Sequence, residues 1–196
     1  MTDKPQICVI HGGDAFESDA AAHQALENMT LSYERILAFK SWKLWLAEQL
    51  PDHDIVLPNM PSKFNAKYDE WEILFSKVVP FLRPDAVLIG HSLGGGFLAK
   101  YLCEHPSAEP FAKLIIVAGS YDDENEDTLG GFKLSDVSKL SDYVNEIHLV
   151  YSNDDPYVKL TERDKYLRDL PNSIVHNFSG KGHFNTTEFP ELLEIV

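Results

Sequence analysis

A serine hydroxyl becomes a nucleophile when a base takes its proton and an acid orients that base. Candidates for all three roles stand in this chain in the order serine, aspartate, histidine. Gly90-His91-Ser92-Leu93-Gly94 fits the pattern G-x-S-x-G. With Gly and Ser each at about 7% of residues, chance yields that string in roughly 6% of chains this long, so its context decides. It follows the apolar run Ala86-Val87-Leu88-Ile89 and precedes Gly95-Gly96-Phe97-Leu98-Ala99, which opens a helical pattern. Strand, sharp turn and helix make a nucleophile elbow, in which the hydroxyl stands clear of the strand end near the positive end of the helix dipole. Gly90 and Gly94 let neighbouring backbone approach without a Cβ clash. A phosphate-binding loop is the rival reading, but the P-loop lysine is missing and Gly94-Gly95-Gly96 lacks G-x-G-x-x-G spacing.

Eight histidines compete to be the base. His148 and His176 fall inside strand patterns, where packing is the ordinary role, and His23, His53 and His105 sit away from a suitable strand end or precede the serine. His183 lies in Ser179-Gly180-Lys181-Gly182-His183-Phe184, a glycine-rich loop directly after the last strand pattern. That position and order make it the expected base. For the acid, Asp154 and Asp155 both follow the fifth strand pattern. Pro156 fixes the chain after Asp155 and favours a rigid carboxylate there, while Asp122 or Asp123, after the fourth strand, remain minor alternatives. Two backbone N–H donors must face the oxyanion. Leu93, next to the nucleophile, supplies one, and Gly13 of His11-Gly12-Gly13, after the first strand, is expected to supply the other.

Six short apolar runs have the length and β-branched content of buried strands: residues 7–10, 54–57, 86–89, 113–118, 146–151 and 173–178. Helix-period segments lie between them at about 33–50, 68–82, 94–105, 135–143 and 157–169, with a last one near 187–195. Alternating strands and helices predict an α/β fold, a parallel sheet covered by helices on both faces. Trp42, Trp45, Leu46 and Leu50 recur at helical spacing and are expected to pack on that sheet. One connection is irregular. About twenty residues follow His11 before the first clear helix, with a hint of a short helix around Ala20–Leu26, and a lid-like loop at about 14–32 is the expectation. The whole chain, 1–196, reads as one domain.

The chain has 17 basic and 31 acidic side chains, a formal charge of −14. A surface this acidic repels phosphate backbones and anionic headgroups, so neither nucleic acid nor membrane is an expected partner. The acidic run from Asp122 to Asp127 reads as a solvated loop, since calcium-loop spacing is absent. Cys8 and Cys103 sit in apolar patterns and read as buried small hydrophobes, not a disulfide framework. No signal peptide or membrane span is apparent, which makes a cytoplasmic location the default expectation. Oligomeric state, monomer or weak dimer, is not legible.

The motifs Gly90-His91-Ser92-Leu93-Gly94-Gly95, Asp154-Asp155-Pro156-Tyr157-Val158 and Gly182-His183-Phe184-Asn185 resemble those of the small α/β-hydrolases related to retinoblastoma-binding protein 9. Asn59-Met60-Pro61, the Trp42 and Trp45 pair, and the tail through Leu192 are also similar to that family. The resemblance implies Ser92 as nucleophile, Asp155 as acid and His183 as base, in a compact α/β-hydrolase fold without a large cap. It also implies hydrolysis of small esters or amides without cofactor or metal. Two departures stand out. The 14–32 stretch is longer than the family's first loop, and the L-x-C-x-E string tied to retinoblastoma-protein binding is absent, Cys103 lying in Tyr101-Leu102-Cys103-Glu104-His105. A non-catalytic binding protein on this fold, or an acyltransferase using the same three residues, are the alternatives.

Overall fold

Successive side chains of a strand point to opposite faces of its sheet, and in the computed structural model, which describes residues 3–122 and 129–196, both faces of the central strands are buried. Six parallel strands, β1 (Gln6–Ile10), β2 (Asp54–Val56), β3 (Val87–His91), β4 (Phe111–Val117), β5 (Val144–Ser152) and β6 (Ile174–Phe178), pair in the order β2-β1-β3-β4-β5-β6. Cys8, Ile10, Leu88, Leu114, Ile116, Leu149 and Tyr151 face one apolar cluster. Their alternates Ile7, Val9, Ile89, Ile115, Val117 and Val150 face another.

The helices are α1 (Asp19–Asn28), α2 (Tyr33–Ile36), α3 (Trp42–Gln49), α4 (Tyr68–Val78), α5 (Leu93–Glu104), α6 (Leu140–Tyr143) and α7 (Leu160–Asp169). On the first face the sheet is covered by Trp71 and Phe75 of α4, Phe97, Leu98 and Tyr101 of α5, and Tyr166 of α7. On the second it is covered by Trp42, Trp45 and Leu46 of α3 together with Phe184, Phe189, Leu192 and Ile195. Helices therefore lie on both faces, and the two tryptophans pack on the sheet as their spacing predicts.

Four expected segments differ most in extent. The helix expected over 33–50 is two pieces, because the chain is extended at Leu37 and Ser41 and α3 starts afresh after Ser41. The apolar stripe of Trp42 and Trp45 does not run back through Ile36, Leu37 and Phe39, all largely exposed. Most of 135–143 is turn: the Asp136 carboxylate takes the Ser138 N–H at 2.8 Å and Asp169 takes that of Val137 at 3.1 Å, so carboxylates replace helical carbonyls. The segment near 187–195 is a short 3₁₀ stretch over Pro190–Glu194.

The fourth is the long first connection, which contains α1. Ser18 Oγ caps α1 by accepting from Ala21 N–H at 3.1 Å. The stretch before it is tied to residues 62–67: Asp14 N–H donates to Lys63 O at 2.8 Å, and Ala66 N–H donates to Asp14 O at 2.8 Å. Asp19 accepts from Asn65 at 3.0 Å and pairs with Lys67 at 3.1 Å.

Cys8 is buried, as expected, and burial pushes its thiol up to about 12. Cys103 is only half-buried, packed against the rim of the first apolar cluster. Of the acidic run only Asp122 lies within the described residues; it pairs with Lys165. Among the described residues no helix is long and apolar enough to cross a membrane.

Candidate active site

A parallel sheet delivers the carboxyl ends of its strands to one edge, where loops can share a site. Ile10 is level with Gly90, His91 with Val117 and Ser152 with Phe178. The loops after β1, β3, β5 and β6 therefore leave the sheet together. They carry His11-Gly12-Gly13, Ser92, Asp154-Asp155 and His183.

Ser92 has φ +56° and ψ −125°, a backbone that a non-glycine residue adopts only under constraint. Its N–H donates to Val117 O at 2.9 Å, and α5 begins at the next residue. The glycines around it are steric necessities. A Cβ on Gly90 would stand 2.5 Å from Gly94 O, and one on Gly94 would stand 2.5 Å from Ile10 O and 2.6 Å from His11 O. Gly12 packs on the serine itself, a Cβ there falling 2.9 Å from Ser92 Cβ.

His183 Nε2 lies 2.9 Å from Ser92 Oγ, and His183 Nδ1 lies 2.8 Å from Asp155 Oδ2. The other Asp155 oxygen accepts N–H groups from Tyr157 at 2.8 Å and Val158 at 3.0 Å. Both oxygens of this buried carboxylate are thus engaged, and the Pro156 turn fixes their direction. The structure brings these three sequence-expected residues into one hydrogen-bonded chain. Asp154 faces elsewhere. It takes the Ser152 hydroxyl and the N–H groups of Gly180 (3.0 Å) and Gly182 (3.3 Å), contacts that hold its carboxyl below the ordinary aspartate range. It grips the histidine loop, not the histidine. Asp122, held by Lys165, is not part of the chain, and Asp123 lies outside the described residues.

The N–H groups of Leu93 and Gly13 meet no protein acceptor among the described residues. Gly13 itself packs on the Lys63 backbone, a Cβ there falling 2.5 Å from Lys63 O. His11 closes the loop. Its Nε2 accepts from Met60 N–H at 3.0 Å, so Nδ1 carries the proton it donates to Gly12 O at 2.6 Å; burial lowers its pKa, consistent with a neutral ring. At His11 the site borders a hollow of about 170 Å³, lined also by Ser41, Lys43, Leu44 and Leu57.

Sequence reading passed over His91, Lys43 and Gly12. In the sequence His91 is only the first variable position of G-x-S-x-G. Strand alternation was the available signal, because two residues after Ile89 the ring must join the α3 face of the sheet. It meets Trp42 edge-on at 6.0 Å and His183 at 5.1 Å between ring centroids. No spacing rule points to Lys43.

Glu72, Glu104 and His105 are the one group of metal-capable side chains among the described residues. Glu104 and His105 lie at the far end of α5, about 18 Å along the helix from Ser92, and Glu72 faces them from α4. Their mutual contacts and the Tyr68 hydroxyl on Glu104 already account for them.

A protein-family model described as serine hydrolase matches residues 38–193. The serine hydrolase RBBP9 of Rattus norvegicus is 27% identical over 172 residues, 82% of this chain and 87% of that protein. Among solved structures, the ydeN gene product of B. subtilis superposes with a TM-score of 0.77 at 19% identity, covering 97% of this chain and 96% of its own. A structure from work on carboxylesterases of Nitrososphaera gargenis superposes at 0.60 with 13% identity, over 98% and 88% of the two chains. These structural likenesses carry the α/β-hydrolase fold.

Proposed function

From the premise that this chain belongs to the serine hydrolase family, we propose that it cleaves small esters through a Ser92–His183–Asp155 triad and an acyl-enzyme. The kinship expected from its motifs, with the hydrolases related to retinoblastoma-binding protein 9, stands on that match and on the rat relative. What carries the finer reading is one observation: the unbroken chain from Ser92 Oγ to His183 Nε2 and from His183 Nδ1 to Asp155, at 2.9 and 2.8 Å.

Ser92 Oγ attacks the carbonyl carbon as His183 Nε2 takes its proton. Asp155 keeps the Nδ1 proton in place and stabilises the imidazolium. The carbonyl electrons move to oxygen, which accepts from the N–H groups of Leu93 and Gly13, two donors with no competing partner among the described residues. Collapse expels the leaving group, which takes the proton from His183. Water then repeats the sequence on the acyl-serine, returning the enzyme and a carboxylic acid. No step calls for a cofactor.

The charge of −14 supports an uncharged or cationic leaving group and argues against polyanionic partners. Unpaired thiols at Cys8 and Cys103 support work in a reducing compartment.

The test is direct. A fluorophosphonate probe labels the wild type and not Ser92→Ala, and p-nitrophenyl acetate and butyrate are turned over by the wild type alone. Labelling of Ser92→Ala at the wild-type rate sinks the triad. A labelled wild type without turnover favours the acyltransferase reading.

A further inference from the structure

The proposed base sits in a loop that local sequence holds poorly. Gly180 and Gly182 have φ of +76° and +51°, with open space where their Cβ atoms would be. Phe184, the residue after His183, is itself held at φ +52°. A non-glycine residue stays in that region only when its surroundings over-determine it. The Phe184 side chain is one anchor, buried against Phe178 and Phe189. Phe184 N–H, donating to Lys181 O at 3.0 Å, is a second. The peptide between His183 and Phe184 needs its carbonyl held too.

His91 holds it. His91 Nε2 lies 2.9 Å from His183 O. A carbonyl only accepts, so Nε2 must carry the proton. On the other side of the ring, Lys43 Nζ lies 3.2 Å from His91 Nδ1. An ammonium only donates, so Nδ1 must present its lone pair. Both neighbours demand the same neutral tautomer. Burial, followed by the Lys43 charge, holds His91 well below its ordinary pKa, in the direction of the neutral ring that both neighbours require. Lys43 is placed for this by α3, whose first N–H, that of Trp42, donates to Thr186 O at 3.0 Å in the same loop.

We propose that Lys43 and His91 form a positioning relay for the catalytic histidine: Lys43 selects the Nε2–H tautomer of His91, and His91 pins the His183 backbone carbonyl. Lys43 acts through His91, and His91 through His183. The inference rests on the Ser92–His183–Asp155 reading, because positioning matters only if His183 is the base. It goes beyond that reading by assigning work to the residue before the nucleophile and to a lysine on another element.

The experiment compares wild type with His91→Leu, His91→Gln and Lys43→Met. Leucine keeps the apolar contacts and deletes the donor. Glutamine restores an N–H near the Nε2 position. For p-nitrophenyl acetate, kcat of His91→Leu falls about 10- to 100-fold at unchanged KM, the cost of a slightly misplaced base. His91→Gln recovers most of it. In the resting wild-type enzyme, ¹⁵N shifts of His91 report the Nε2–H tautomer, and Lys43→Met shifts the ring toward a tautomer mixture. That second readout stands even if His91→Leu fails to fold. Wild-type kcat in both His91→Leu and Lys43→Met overturns the relay, as does a charged or Nδ1–H His91 in the wild type. If Ser92→Ala is dead in the same assays, such a result leaves the triad standing. If Ser92→Ala is active, the triad reading itself has failed.

Discussion

Two adjacent aspartates with different work show how much a single peptide step decides. Asp154 and Asp155 have the same chemistry and stand one residue apart just beyond β5, so in the residues alone only Pro156 favours Asp155. The turn separates them. Asp155 points inward, where Tyr157 and Val158 N–H groups fix one oxygen and His183 takes the other. Asp154 points along the surface to the N–H groups of Gly180 and Gly182. Their asparagine variants should therefore fail differently. Asp155→Asn offers an N–H where His183 already has one, favours the wrong imidazole tautomer and lowers kcat by about 10⁴-fold. Asp154→Asn loosens the loop and costs about 100-fold at most. Equal losses in steady-state turnover of p-nitrophenyl acetate would refute this division. Gly12 belongs at this scale as well. Gly12→Ala places a methyl 2.9 Å from Ser92 Cβ and 3.3 Å from His91 O, so kcat falls and the urea midpoint falls with it.

An elbow is an agreement between a strand, a helix and the strand beside them, and its glycines mark where they meet. Gly94→Ala drives a methyl into Ile10 O and His11 O, the rigid end of β1. Backbone cannot swing aside as a side chain can, so the variant loses at least about 1–3 kcal/mol of stability. A lowered urea midpoint checks it; an unchanged midpoint would mean that α5 is not seated as described. This element was also the most legible part of the chain. The six strands were readable because continuous β-branched runs have few other fates, and the elbow because its string falls between a strand and a helix pattern. Boundaries were less legible where side chains override the pattern, as at Ser41, where α3 starts late, and at Asp136, whose carboxylate ends a would-be helix. The relay was not legible. Lys43, His91 and His183 stand 48 and 92 positions apart and meet only because β3 lies between the α3 packing and the last loop.

Across the molecule, burial has lowered the pKa of three histidines, His11, His91 and His176, and so ties global stability to pH. His176 is outside the proposed catalytic apparatus and isolates the effect. Its ring stacks on His148 at 9° with centroids 5.1 Å apart, its Nε2 meets His148 Nδ1 at 2.8 Å, and Lys113 and Glu146 are the charged groups beside the pair. Desolvation, then the fields of His148 and Lys113, lowers its folded pKa below the unfolded 6.5. Between those two values the unfolded chain binds a proton that the folded one refuses, so stability falls as pH drops below 6.5 and is complete above it. A second global effect runs the other way. The net charge of −14 shrinks as the pH approaches the pI of about 4.8, relieving self-repulsion. Wild type and His176→Gln share that relief, so their difference removes it. Urea midpoints at pH 7.5 and 5.5 should show the wild type losing ground to His176→Gln at the lower pH. A constant difference, or one that moves in favour of the wild type, would show that the stacked pair accepts its proton as readily folded as unfolded.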